Sequence, residues 1–172
     1  MTINNKRNWT LKLFYLSSFM TLLFSMTSCA EGLQKPLRGI NSTLLKSSVS
    51  QREPSVSTEW ITTLSNEQGK ERVELINLRT RKKVALPGLN RADSQPISAS
   101  ISADGQKIAL IRQRGNQTEL LIYRRNTGTV QIIEISPKGI PRKVSIDGAG
   151  RLVAVQVSRN GRWDIDLIQI PN

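Results

Sequence analysis

Residues 100–123 read Ser100-Ile-Ser-Ala-Asp-Gly-Gln-Lys-Ile-Ala-Leu-Ile-Arg-Gln-Arg-Gly-Asn-Gln-Thr-Glu-Leu-Leu-Ile-Tyr123, and much of the chain on either side aligns to copies of them. A forward shift of about 45 residues lays Ile108-Ala109-Leu110 over Val153-Ala154-Val155 and Glu119-Leu120 over Asp164-Ile165. The opposite shift sets Glu74-Leu75-Ile76 under Glu119-Leu120-Leu121 and Arg79 under Arg124. Three units follow one another, the first the most degenerate. A period of this length is that of a small supersecondary unit that buries its faces by stacking on its like.

From residue 60 onward nearly every apolar run is short, β-branched and bounded by turn residues, which predicts strands rather than helices. The expected strands cover residues 60–65, 72–79, 83–87, 97–102, 107–112, 118–124, 129–135, 142–146, 151–158 and 163–170. Asp104-Gly105, Gly115-Asn116 and Asn160-Gly161 are among the connections that supply positive φ or a local side-chain turn. Several strands are apolar on both faces, as in Ile108-Ala109-Leu110-Ile111 and Leu120-Leu121-Ile122-Tyr123. Two-sided burial at this period implies small sheets stacked face to face, as propeller blades are.

The same residues resemble a known family. Ser102-Ala103-Asp104-Gly105, then Ile108-Ala109-Leu110, then Arg114-Gly115 and Glu119-Leu120-Leu121-Ile122-Tyr123 are similar to the TolB-type β-propeller repeat. The second half of that repeat recurs in Ser158-Arg159-Asn160-Gly161 and Trp163-Asp164-Ile165, whereas Ala103, Leu110 and Asp166 depart from the pattern. The resemblance covers residues 97–170, with a faint echo from Trp60. It implies an all-β fold of about three four-stranded blades and a periplasmic scaffold that binds protein partners. No catalytic residues come with the motif. Ten strands, or twelve if residues 42–50 and 55–58 join, make three blades, and three blades do not close. An open arc, a homodimer of two arcs and a collapsed sandwich are all consistent with the count, and association with a partner is expected because an open arc exposes strand edges.

The 172 residues carry 38% hydrophobic and 22% charged side chains, enough for one small domain and a non-globular segment. Residues 1–12 are basic and free of acids, and residues 13–26 are an apolar run, too short for a comfortable membrane span and matching a signal peptide. Met26-Thr27-Ser28-Cys29 then resembles the lipobox of bacterial lipoproteins, which implies cleavage before Cys29, its acylation, and a lipid-anchored protein on the periplasmic face of the cell envelope, with the outer membrane favoured. Residues 29–57, rich in Ser and Thr with Pro36 and Pro54, read as a flexible tether in front of a domain at 58–172.

The net charge is +12. Even without Lys6, Arg7 and Lys12 of the signal segment, the excess of bases favours anionic surroundings. Arg79, Arg81, Lys82 and Lys83 occupy in the first repeat the turn that Arg124 and Arg125 occupy in the second, which predicts a basic rim facing anionic headgroups or an acidic partner. Nucleic acid is not expected as a partner of an exported domain without an aromatic platform. The acids fall in turns or at strand starts, there is no histidine, and Cys29 is the single cysteine. No catalytic group, metal or cofactor is therefore expected. Asp164 and Asp166 share a strand face, a weak cation signal that pairing with Arg162 explains as well. The reading is a non-enzymatic binding module; the alternatives are an exported carbohydrate- or peptidoglycan-active domain and a binder of anionic envelope polymers.

Overall fold

A computed structural model describes residues 35–45 and 48–171. The expected signal segment, the lipobox and Cys29 lie outside these residues. The folded unit begins at Arg38 with helix α1 (Arg38–Leu45), followed by eleven strands among the described residues: β1 (Ser50–Ser57), β2 (Trp60–Glu67), β3 (Lys70–Asn77), β4 (Lys82–Val84), β5 (Ser94–Ile101), β6 (Lys107–Arg114), β7 (Gln117–Arg124), β8 (Thr129–Ile133), β9 (Ile140–Ile146), β10 (Leu152–Arg159) and β11 (Arg162–Gln169). They form three antiparallel meanders, ordered β1-β2-β3-β4, β5-β6-β7-β8 and β9-β10-β11. Stacked meanders of this kind are the blades of a β-propeller, and the described residues form three of them.

Local chemistry sets each repeat. In the second sheet the Asp104 carboxylate accepts from the Ser102 hydroxyl (2.6 Å) and the Gln106 amide (2.9 Å), while Gly105 takes φ of 68°. In the third sheet Asp147 does the same work by accepting the amides of Arg151 (2.6 Å) and Leu152 (2.8 Å). The innermost strand of every sheet carries a proline, Pro54, Pro96 or Pro141, at or beside a break in register with the next strand. A residue without an N–H cannot complete a ladder, so a bulge in each inner strand is its local consequence.

The apolar faces explain the stacking. Leu64, Val73 and Leu75 of the first sheet meet Ile108, Leu110, Leu121 and Tyr123 of the second. On the opposite face of the second sheet, Ala109, Ile111, Leu120 and Ile122 meet Val144, Val153, Val155 and Val157 of the third. The middle sheet is therefore covered on both sides, as its two-faced sequence requires. Tyr123 is fully buried and its hydroxyl donates to the Pro87 carbonyl at 3.0 Å, which satisfies the one polar atom it brings inside.

The folded part starts earlier than residue 58. Within the expected tether, residues 50–57 form β1, the inner strand of the first sheet, and Ser42, Leu44 and Leu45, expected to begin an added strand, belong to α1. Ile40 and Leu44 stand four residues apart and pack on Ile61, Ile76 and Leu78, closing the outer face of the first sheet. The third sheet has three strands among the described residues, as many as the strands expected at 142–146, 151–158 and 163–170 and one fewer than a four-stranded blade.

Candidate interaction surfaces

The six basic residues of the expected rim lie at the β3–β4 and β7–β8 connections, near the same end of the first two sheets: Arg79 and Arg81 in the first turn, Lys82 and Lys83 opening β4, Arg124 ending β7 and Arg125 following it. Trp60 lies between them, with the Arg125 guanidinium 4.5 Å above its ring centre and the Arg125 Nε donating to the Gly105 carbonyl at 2.8 Å. Arg124 donates to Gln131 (2.8 Å) and to the Pro171 carbonyl (2.9 Å). Lys83 is paired with Glu74 at 2.7 Å, Arg79 lies 3.7 Å from Glu59, and the Arg81 guanidinium lies against Gly39 of α1. Arg81, Lys82 and Lys83 are all exposed. Arg124 and Arg125 are thus bound into the fold, and the β3–β4 turn carries the exposed part of the rim.

The inner strands make a polar seam. Ser55 and Ser100 hydroxyls lie 3.2 Å apart, and Ser100 accepts the Ile146 amide at 3.1 Å. Ser98 accepts the Val144 amide (3.3 Å) and donates to Glu53 (3.2 Å), while Arg52 donates to the carbonyls of Pro96 and Ile97. Partners in this seam stand 44 to 46 residues apart, one repeat. The seam satisfies inner-strand edge groups between sheets that do not pair directly.

The carboxylates are absorbed by neighbours. Asp166 is bound by both terminal nitrogens of Arg159, and this guanidinium holds its carboxyl below the usual range; Asp164 is 3.0 Å from the Arg162 Nε. The pair expected as a weak cation signal is an arginine-bound cluster. Arg112 is almost wholly buried and bonds Glu119 at 3.0 Å, with its Nη1 left without a hydrogen-bond partner. A groove of about 560 Å³ opens where β8 leaves β7, lined among others by Thr118, Ile133, Glu134, Lys138 and Ile140.

The feature that sequence reasoning missed is the outer face of the third sheet. On β11, Trp163, Ile165 and Leu167 are 56%, 65% and 68% exposed, and Leu152 of β10 joins them at 43%. The register sets these side chains on one face with Ala154, Gln156 and Ser158, opposite the face that carries Val153, Val155 and Val157 into the core. The signal is in the sequence: residues 163–167 alternate Trp-Asp-Ile-Asp-Leu, which puts the apolar residues on the face opposite the acids. Among the described residues this sheet has three strands, with β11 at its edge, whereas the other two sheets have four.

No model of a known protein family and no curated relative matches the sequence. Among solved structures the chain is similar to TolB from Acinetobacter baumannii, with a TM-score of 0.54 and 16% identity over 69% of this chain and 29% of that one. It is similar to the β-propeller domain of the Trilobed protease from Pyrococcus furiosus, which has an open velcro topology (TM-score 0.51, 15% identity, 72% of this chain and 43% of that one). A puromycin-hydrolyzing peptidase from Mycobacterium tuberculosis gives a TM-score of 0.52 at 16% identity, over 70% of this chain and 19% of that one. The chain thus spans less than half the length of each, and the likeness is one of fold.

Proposed function

We propose that this protein is a non-enzymatic binding module of the cell envelope, lipid-anchored through Cys29 on the periplasmic face, the outer membrane favoured, whose propeller blades engage a protein partner. The observation that carries the reading is the outer face of the third sheet, where three large apolar side chains on one strand are more than half exposed. Patches of this kind mark interaction sites on soluble domains. The TolB and peptidase likenesses supply the scaffold and leave its use to the surface chemistry.

The reading is tested by affinity purification of the full chain from envelope membranes beside an Ile165→Glu/Leu167→Glu variant. A protein that co-purifies with the wild type and is lost from the variant is expected. The same set of proteins with both forms, or none with either, would remove the proposal. Binding of anionic envelope polymers through the exposed β3–β4 turn is the second reading, favoured by Arg81, Lys82 and Lys83 standing together at one end. Reversal of those three charges, together with a steep salt dependence of polymer binding, separates it from the first.

A further inference from the structure

We infer that the groove beside β7 receives an extended peptide segment of a partner protein, which joins the second sheet as a short added strand; this is a site apart from the outer face of the third sheet, and it stands or falls separately. β7 runs from Gln117 to Arg124, but its ladder with β8 covers only Leu120 to Arg124 and ends at the pair Leu120–Ile133. The chain then leaves the sheet towards β9. Gln117, Thr118 and Glu119 have no strand on that side among the described residues.

The first sheet shows what such an edge takes up. Its outer strand β4 reaches only as far as Leu75–Val84. Beyond that pair the side-chain amide of Asn90 stands in for a strand: the Val73 amide donates to Asn90 Oδ1 at 2.8 Å, and Asn90 Nδ2 donates to the Val73 carbonyl at 2.9 Å. Gln95 donates to Glu71 at 3.1 Å and Arg91 lines the same space, which leaves a cleft of about 270 Å³. Val73 and Leu120 correspond, each the fourth residue of its strand after a two-residue turn. Val73 turns its main-chain groups outward, Leu120 does so towards Ile133, and the alternation of an antiparallel strand turns those of Thr118 the same way. They open into a groove of about 560 Å³, about twice the size of the cleft on the first sheet.

The lining suits a strand and little else. Main-chain groups at a sheet edge fix the backbone of an added peptide, and its alternate side chains reach the surface beneath. Leu120, Ile133 and Ile135 line the groove and belong to the apolar contact between the second and third sheets. Thr118 shares a face with Leu120, so the peptide residue opposite Thr118 points to this aliphatic surface. The charges balance: Glu134 and Lys138 are one acid and one base, and Glu119 is bonded to Arg112. In a chain of net charge +12 this groove carries no excess of bases. It therefore selects a main chain with an aliphatic side chain, not an anionic polymer.

Selection of displayed random heptapeptides on the full chain in detergent supplies the probe, and fluorescence anisotropy of a selected peptide supplies the measurement. The selected peptides are expected to share an aliphatic residue, and N-methylation of the main-chain amide at that residue or the next is expected to weaken binding about tenfold at one of the two positions. Thr118→Pro removes an outward N–H while leaving the ladder with β6 complete, and it is expected to weaken binding to a similar extent. Ile135→Lys, on the lining itself, is expected to weaken it at least tenfold. Amide exchange at Thr118 is expected to slow when the peptide is bound. Ile165→Glu/Leu167→Glu is expected to bind the peptide as the wild type does. Failure to select any peptide, or selected peptides that bind Thr118→Pro and Ile135→Lys as tightly as the wild type, overturns the inference. Peptides lost from Ile165→Glu/Leu167→Glu and kept by both groove variants would also overturn it, and would place recognition on the outer face of the third sheet instead.

Discussion

Gly105 and Gly161 have the same backbone sign and different surroundings. Their φ angles are 68° and 77°, but a Cβ on Gly105 would meet the Trp60 ring, while a Cβ on Gly161 would meet nothing within 4 Å. Gly161→Ala is expected to cost about 1 kcal/mol through the left-handed backbone alone. Gly105→Ala adds a clash with an indole already held by Arg125, and a loss of at least 2 kcal/mol is expected in urea unfolding. Equal losses at the two sites would show that the Trp60 contact is unimportant. Arg112 and Glu119 offer a second test, since both are shielded inside the stack. Glu119→Ala strands a buried guanidinium and is expected to cost about 3 kcal/mol, whereas Arg112→Met/Glu119→Leu is expected to fall within about 1 kcal/mol of the wild type. A double variant as unstable as the single one would mean the pair itself stabilises the fold.

Helix α1 is a lid on one sheet, and its contribution rests mainly on one buried side chain. Ile40→Asp would place a carboxylate against Ile61 and Ile76 and is expected to lower stability by about 2 kcal/mol, read as a fall in melting temperature with the β signal retained. No change in melting would mean that α1 does not hold the first sheet. Elements of this sort also show where sequence reasoning succeeds. β6 and β7 were legible because they carry apolar residues on both faces and end in Asp-Gly and Gly-Asn turns, chemistry that is local and repeated. β1 is legible only in its last residues, within the optional strand at 55–58: Ser-Gln-Arg-Glu-Pro-Ser-Val-Ser has no apolar run, and the strand exists because β2 pairs with it and because Arg52 and Ser55 bond to the neighbouring sheet. Only the tertiary structure contains those reasons. The repeat positions set the basic residues at equivalent connections, but the stacking of Arg125 on Trp60 depends on a ring one blade away.

At the scale of the folded unit, stability should respond to acid and not to the neutral range. Asp93 is lowered to about 2 chiefly by its bond to Arg91, Asp147 is lowered by the amides of Leu152 and Arg151, and Asp166 and Glu71 are lowered by Arg159 and Arg52. Each carboxylate binds its proton more weakly when folded than when unfolded. The stability it contributes is complete above the unfolded value near pH 4 and is lost as pH falls through the lower folded one. The chain has no histidine. Melting temperature is therefore expected to be level from about pH 5.5 to 8 and to fall below about pH 4; a step between pH 6 and 7 would contradict this assignment. The proposed anchor makes a separate claim: Cys29→Ser should release the chain from the membrane fraction, and a variant that stays membrane-bound with its signal segment removed would refute lipidation. Amide exchange is expected to be slowest in β6 and β7, the strands buried on both faces, and faster towards either end of the stack. Uniform protection would show that the three sheets open as one.

The seam of serines also governs curvature. Side-chain volume rises across the second sheet, from Ser98, Ala99 and Ser100 on its inner strand to Leu120, Leu121, Ile122 and Tyr123 on its third. Sheets held apart by small groups at one margin and by large groups at the other must splay, as the leaves of a fan do when bound at one edge. The bend of the arc is thus encoded as a gradient of bulk, and the hydroxyls at the thin margin fix its pitch by tying each inner strand to the next. Valines at 98 and 100 would prise that margin open and flatten the fan, a change of shape visible to small-angle scattering while every strand keeps its own partners.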